Sequence, residues 1–293
     1  MSETMQQSET TPHPTIHREI PDAGGVADVP LPPKYELFGV PVSATHYGEV
    51  VDTCIALAKA GKGGTVQFMS AHGLVLSSHD AKFKQAASDF TITCTDGMPV
   101  RWAMNRFHDA ELPDRVYGPE TTWRLLEAAE REGVSVYFWG GTDETLAQLL
   151  DKVKASFPKL EIAGSEAPPF RPLSDQEHDE VAARVNDSGA GLMFVGIGCP
   201  KQEYFCDRHK DDIDAVMLAV GAAFDFHAGA KRQAPKFMQD RGLEWLFRLA
   251  TEPRRLWRRY LGTNSRFLLL WAKREMSGKK GKTNKGTALA GVG

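Results

Sequence analysis

Asp96 stands where an apolar, β-branched run gives way to a turn, in Thr95-Asp96-Gly97-Met98-Pro99-Val100. A carboxylate in that setting has two uses. It can cap the following helix by accepting backbone N–H groups. It can also take a proton from an attacking hydroxyl at the mouth of a site. With a reference pKa of about 3.9 it is ionised at neutral pH and ready to act as a base. Three later motifs offer matching groups. Gly140 and Gly141, in Phe138-Trp139-Gly140-Gly141-Thr142, make either a tight turn or a place where backbone N–H groups approach a phosphate at a helix N-terminus. The run Gly196-Ile197-Gly198-Cys199-Pro200-Lys201-Gln202-Glu203 leaves a strand on Gly198, with Pro200 suited to the first helical position. Lys201 and Gln202 then fall in the first helical turn. Lys201 is a ligand cation or a surface charge, whereas the Gln202 amide can both donate to and accept from a sugar hydroxyl or a base. Asp225, in Val220-Gly221-Ala222-Ala223-Phe224-Asp225, is expected at the end of the next strand, where a buried carboxylate needs backbone amides or a ribose as partners.

A fifth group is basic. Between Arg241 and Thr283 lie 12 Lys and Arg against 3 Glu, while the whole chain carries a net charge of -3. A basic end on an acidic body points to a polyanionic partner or to a solvated charged face. Arg255, Arg258 and Arg259 share one helical face by spacing, and Arg248 lies one segment earlier. Guanidinium forks match phosphate oxygens bidentately. The interleaved Trp245, Phe247, Trp257 and Tyr260 suit a membrane interface or a protein core. Ser70 and His72 follow a strand ending near Met69, and a lone histidine there is more often structural than catalytic. No strand end carries an H-x-x-x-H or D-x-D pattern, so no metal is signalled. The fingerprint G-x-G-x-x-G is absent, which disfavours a nicotinamide enzyme.

Elements that could position these residues follow from the apolar pattern. Strands are predicted over Thr65–Met69, Phe90–Cys94, Val134–Phe138, Leu192–Gly196 and Ala215–Ala219. Helical spacing appears at Thr121-Trp123-Leu125-Leu126-Ala129 and at Leu146-Leu149-Leu150-Val153. That alternation predicts an α/β fold with a mostly parallel sheet covered by helices on both faces. Its ligands would bind at the carboxyl ends of the strands. Residues 1–33 are rich in Ser, Thr, Pro and Glu and are expected to be disordered. The body is expected over 34–240, a basic helical appendage over 241–277 with a break at Pro253, and a disordered tail over 278–293. Cys54, Cys94, Cys199 and Cys206 match no zinc spacing and read as reduced thiols of a cytosolic protein. No secretory signal and no apolar run of the ~18 residues needed to span a bilayer is evident.

In this order the motifs resemble the WecG/TagA/CpsF family of bacterial glycosyltransferases (glycosyltransferase family 26). The resemblance runs from about Phe38 to Phe267. Besides the motifs above it is carried by Arg115-Val116-Tyr117-Gly118-Pro119, Arg232-Gln233-Ala234-Pro235, Gly242-Leu243-Glu244-Trp245-Leu246-Phe247-Arg248-Leu249 and Glu252-Pro253-Arg254-Arg255. It implies a Rossmann-like, inverting, UDP-sugar-dependent hexosyltransferase with a basic helical C-terminal appendage. Such an enzyme moves a sugar to a polyprenyl-diphosphate-linked sugar acceptor at the cytoplasmic face of the membrane, in exopolysaccharide, capsule or teichoic acid synthesis. It implies Asp96 as the base and Gln202 at the donor. It places Arg248, Arg255 and Arg258 on the diphosphates. Beside what the resemblance implies, Ser70, His72, Arg115, Gly140, Gly141, Gly198, Lys201 and Asp225 stand as further substrate-binding candidates. It needs no cofactor besides the UDP-sugar donor, expects an anionic membrane surface as partner and no nucleic acid, and leaves homo-oligomerisation open. Members of the teichoic acid type carry Thr and Asn where this chain has Phe68 and Ser70. Ser70 can hydrogen-bond a sugar and Phe68 cannot, so the donor stays open among UDP-glucose, UDP-N-acetylmannosamine and the related uronic acid. Two other classes remain: a non-catalytic scaffold of a polysaccharide complex, and a nucleotide-binding protein whose basic tail grips nucleic acid.

Overall fold

A computed structural model of the chain describes residues 29–283, and the expectations for residues 1–28 and 284–293 lie outside the described residues. The chain opens with an antiparallel hairpin, β1 (Lys34–Leu37) and β2 (Val40–Ser43). Then come α1 (Tyr47–Lys59), β3 (Gly64–Met69), α2 (Ala71–Ser77), α3 (Ala81–Ser88), β4 (Ile92–Thr95), α4 (Met98–His108) and α5 (Gly118–Glu132). The second half continues with β5 (Val136–Gly140), α6 (Asp143–Ser156), β6 (Ile162–Glu166), α7 (Asp175–Asp187), β7 (Leu192–Gly196), α8 (Lys201–His209) and β8 (Val216–Ala219). Four helices close the chain: α9 (Ala223–Ala228), α10 (Lys236–Asp240), α11 (Glu244–Thr251) and α12 (Pro253–Thr283).

Six strands form one sheet in the order β4-β3-β8-β7-β5-β6, with every pairing parallel. The central strands are apolar throughout because both faces are covered. The pleat sends Phe138, Phe194 and Leu218 to one face, against α1, α5, α6 and α9. It sends Trp139, Val195 and Met217 to the other, against α7 and α8. This is the α/β architecture that the alternation predicts, Rossmann-like as the resemblance implies.

Three strands were not legible in the apolar pattern. β1 and β2 flank a turn in which Phe38 and Gly39 both take positive φ. β6 reads Ile-Ala-Gly-Ser-Glu, with little to bury. It survives as an edge strand because the Tyr137 ring lies where a side chain at Gly164 would be.

The appendage packs on the body. Pro253 begins α12, so the break expected there is present. Leu256, Thr263 and Phe267 lie on one helical face and are buried. Phe267 enters a third core cluster with Leu37, Leu74 and Met104 and meets the Phe38 ring edge-on at 5.7 Å. The backbone stays helical to Thr283, so 278–283, expected in a disordered tail, continue α12. No helix among the described residues is long and apolar enough to cross a membrane.

Candidate active site

The carboxyl ends of β3, β4, β5, β7 and β8 open into one cavity of about 1100 Å³. Glu244 and Arg248 of α11 and Arg259 of α12 contribute to its wall.

Asp96 stands in this wall at the end of β4. Its backbone N–H donates to Met69 O at 3.1 Å, tying β4 to β3. It does not cap its own helix: α4 takes Gly97 as N-cap with no side-chain bond. Instead, Asp96 Oδ1 accepts the Gly118 N–H at 2.9 Å, in the first turn of α5. No donor among the described residues holds Oδ2. Burial pushes the carboxyl up to about 6. Arg115 and the Gly118 amide pull it down, Glu244 pushes it up, and Arg248 lowers it slightly. Asp96 is therefore an anion at neutral pH with more proton affinity than an exposed aspartate, which is what a general base requires.

Arg115 supports this carboxylate rather than facing the cavity. It is buried, and its Nη1 donates to Asp96 O at 3.3 Å and to Glu244 Oε2 at 3.0 Å, while Nη2 donates to Gln239 Oε1 at 3.0 Å. Its guanidinium lies 4.1 Å over the Tyr117 ring. On its other side it lines a smaller cavity of about 510 Å³.

Gln202 is buried at the start of α8 and fully engaged. Nε2 donates to Ala219 O at 2.8 Å and to Glu203 Oε1 at 3.2 Å, and Oε1 accepts the Gly198 N–H at 3.1 Å. Both amide protons are thus spent on the protein, and the side chain pins the turn after β7 to the end of β8. The N–H of Gly198, a substrate-binding candidate by sequence, is spent on Gln202. Glu203 behind it is buried, its carboxyl pushed up to about 7 by desolvation, and its Oε2 has no hydrogen-bond partner among the described residues.

The Gly140-Gly141 turn holds strands together. A Cβ at Gly140 would come within 2.6 Å of Gly196 backbone, and one at Gly196 within 2.7 Å of the Phe224 ring. The Gly141 N–H donates to Gly196 O at 3.1 Å. Gly141 lines the cavity and Gly140 does not. The first turn of α6 beyond it carries Asp143 and Glu144. With its amide engaged and two carboxylates beside it, this turn is a poor phosphate cradle.

Asp225 does not end a strand. β8 stops at Ala219, and Asp225 lies in α9, paired through Oδ2 with Lys231 Nζ at 2.6 Å. It lines the cavity from there. Ser70 caps α2, accepting the Gly73 N–H at 3.4 Å, and its hydroxyl proton remains available to the cavity. His72 Nδ1 meets Thr263 Oγ1 at 3.3 Å, so it ties α12 to α2 while lining the cavity. Burial and Arg259 hold its pKa down, which keeps the ring neutral.

The cations divide unexpectedly. Arg248, Lys201 and Arg259 line the cavity, and no ion pair engages them among the described residues. Arg258 is exposed and lies 5.1 Å over the Trp257 ring, away from the cavity lining. Arg259 is exposed as well, 5.6 Å over the Tyr260 ring, yet it lines the cavity. The Arg255 side chain lies outside the described residues. Phe68 also lines the cavity, against Gly118.

Sequence reasoning assigned no role to Tyr117 or Glu244. Glu244 had a signal: it is the sole carboxylate between Asp240 and Glu252, in a stretch otherwise apolar or basic.

One comparison bears on the whole arrangement. A family model described as "Glycosyl transferase WecG/TagA/CpsF family" matches residues 35–281.

Proposed function

Because the chain belongs to the WecG/TagA/CpsF family of glycosyltransferases, we propose that Asp96 is its catalytic base and that the transfer inverts the anomeric centre. The donor is a UDP-sugar, and the acceptor is a sugar linked to a polyprenyl diphosphate. Asp96 Oδ2 takes the proton of the acceptor hydroxyl, whose oxygen attacks the anomeric carbon. The new glycosidic bond forms as the bond to the diphosphate oxygen breaks, and UDP leaves with the electron pair. A positioned base contributes about 10²–10⁴-fold to such a step. The observation that carries the reading is the half-engaged carboxylate: Oδ1 is fixed by the Gly118 amide while no donor among the described residues holds Oδ2, in a cavity that also contains four cations without ion pairs among the described residues, Lys82, Lys201, Arg248 and Arg259.

Arg248, Arg259 and Lys201 are suited to the charge that grows on the departing diphosphate. Phe68 and Ser70 flank the same space and are suited to discriminate the transferred sugar, with glucose, N-acetylmannosamine and the related uronic acid as the candidates. α12 supports an anionic membrane surface as the place of reaction. Trp257, Leu261 and Leu268 are exposed at 49%, 65% and 67% and share one outward stripe. Arg258 lies beside that stripe, an arrangement suited to lying in a headgroup layer on the inner membrane face. Exopolysaccharide, capsule and teichoic acid assembly all consume lipid-diphosphate products of this kind.

The test is transfer from a panel of UDP-sugars to a synthetic polyprenyl-diphosphate sugar, with the anomeric configuration of the product read by NMR. An inverted product is expected from the parent. A retained configuration would rule out direct displacement.

A further inference from the structure

We propose that Glu244 is a positioning residue that sets both the orientation and the proton affinity of Asp96, acting through Arg115 and Tyr117. The inference rests on Asp96 being the base.

The geometry is a closed bracket around the end of β4. Segment 115–118 lies along it: the Val116 N–H donates to Thr95 O at 2.9 Å, and the Gly118 N–H holds Asp96 Oδ1. The two side chains that flank Val116 both terminate on Glu244. Oε2 receives Arg115 Nη1 at 3.0 Å, and Oε1 receives the Tyr117 hydroxyl at 3.1 Å. Arg115 Nη1 also reaches the Asp96 carbonyl, so the same guanidinium group touches Asp96 and Glu244. The Tyr117 N–H is fixed by Tyr47 Oη at 3.0 Å. Glu244 comes from outside the sheet's own connections, from the first turn of α11, as does Gln239 of α10, which accepts Arg115 Nη2.

Charge follows geometry. Asp96 is faced by Arg115 and Tyr117 from the segment before α5, by Tyr47 from α1, by Cys94 from β4, and by Glu244 and Arg248 from α11. The neutral tyrosines and thiol add no charge. Two cations would draw the Asp96 proton affinity down to that of a weak base, and Glu244 offsets one of them. Its side chain is 17% exposed and that of Arg115 is 9%, so solvent screens the pair little. Replacing Glu244 by Gln removes a like charge from Asp96 and releases the Arg115 charge toward it. Both changes favour the ionised carboxylate.

The experiment measures kcat/KM and kcat against pH for the parent, Glu244→Gln, Glu244→Asp and Asp96→Asn. In Glu244→Gln the acid limb should move to lower pH by about one unit. Its plateau kcat should fall about three- to ten-fold as the base weakens, with donor KM unchanged. Glu244→Asp keeps the charge and loses reach, so its limb should return to the parental position while its plateau stays reduced. It also carries the test if the Gln variant does not fold. A Glu244→Gln enzyme with lowered kcat and an unmoved limb overturns the proposal, leaving a merely structural role. A parental acid limb that persists in Asp96→Asn overturns the base reading instead, and the proposal with it. Loss of the limb in Asp96→Asn alone separates the two failures.

Discussion

The ends of β4 and β7 face one cavity, carry the two polar side chains that stand out most in the sequence, and treat them in opposite ways. At β4, Asp96 has one oxygen held by the Gly118 amide and one that no donor among the described residues holds. At β7, Gln202 spends both amide protons and an oxygen lone pair on Glu203, Ala219 and Gly198. Proximity to the cavity does not distinguish them, because both line it. Satisfaction does. A group whose hydrogen bonds are complete within the protein shapes a site, and a group left partly open can react in it.

The sharpest way to break this contrast is to neutralise the open group. Asp96→Asn should lower kcat by about 10²–10⁴-fold while UDP affinity stays within a few-fold, checked by steady-state kinetics and calorimetry. A variant that turns over at the parental rate would erase the distinction. Next comes the satisfied group. Gln202→Ala strands the Gly198 amide and the Ala219 carbonyl, a loss of about 2 kcal/mol in denaturant unfolding. Its kcat should fall far less than that of Asp96→Asn. Comparable kcat losses in the two variants would place Gln202 on the substrate.

Smaller effects test the cations. Arg248→Ala and Arg259→Ala should each weaken UDP binding about ten-fold, in line with loss of one charge-assisted hydrogen bond. Arg258→Ala should change it less than about two-fold, because that side chain points away from the cavity. A loss in Arg258→Ala matching that in Arg259→Ala would mean that α12 rotates when the donor binds.

The smallest effect is on stability, and its sign is fixed. The native Asp96 carboxyl lies at about 6 against a reference of 3.8, so the folded state binds this proton more tightly than the unfolded chain. The stability conferred by that proton is full below about pH 4 and is lost as pH rises through about 6. Asp96→Asn keeps an acceptor for Gly118 and cannot ionise. It should raise Tm at pH 8 by roughly 2–4 °C, with the gain gone near pH 4. A lower Tm at pH 8 would show that the ionised carboxylate helps to hold the fold.

How far this was legible depended on the range of the interactions. β5, β7 and β8 announced themselves because apolar runs buried on both faces are a local pattern. β6 did not, since its placement depends on the Tyr137 ring seated over Gly164. Asp96 was legible as a residue type at a strand end, but its partner Gly118 lies 22 residues on. That separation hid which helix it meets. Gln202 was read as a ligand group because its acceptor, Ala219, is 17 residues away. Asp225 was placed one element too early because the apolar run through Phe224 continues from β8 into α9. Spacing put Arg258 and Arg259 on one face, and only the direction of α12 separates them.

The stack of Gly140 on Gly196 on Phe224 has a consequence for how this enzyme could be rewritten. Neither glycine can accept even a methyl group without moving backbone or ring, so positions 140 and 196 are fixed where β5 meets β7. At the β3 end, Phe68 and Ser70 present side chains to the same space, and the one clear steric limit there is the Phe68 contact with Gly118. A library aimed at a new sugar would therefore spend its diversity at 68 and 70 and hold 140 and 196 constant. Any drift of specificity would be expected to leave its mark on the same strand.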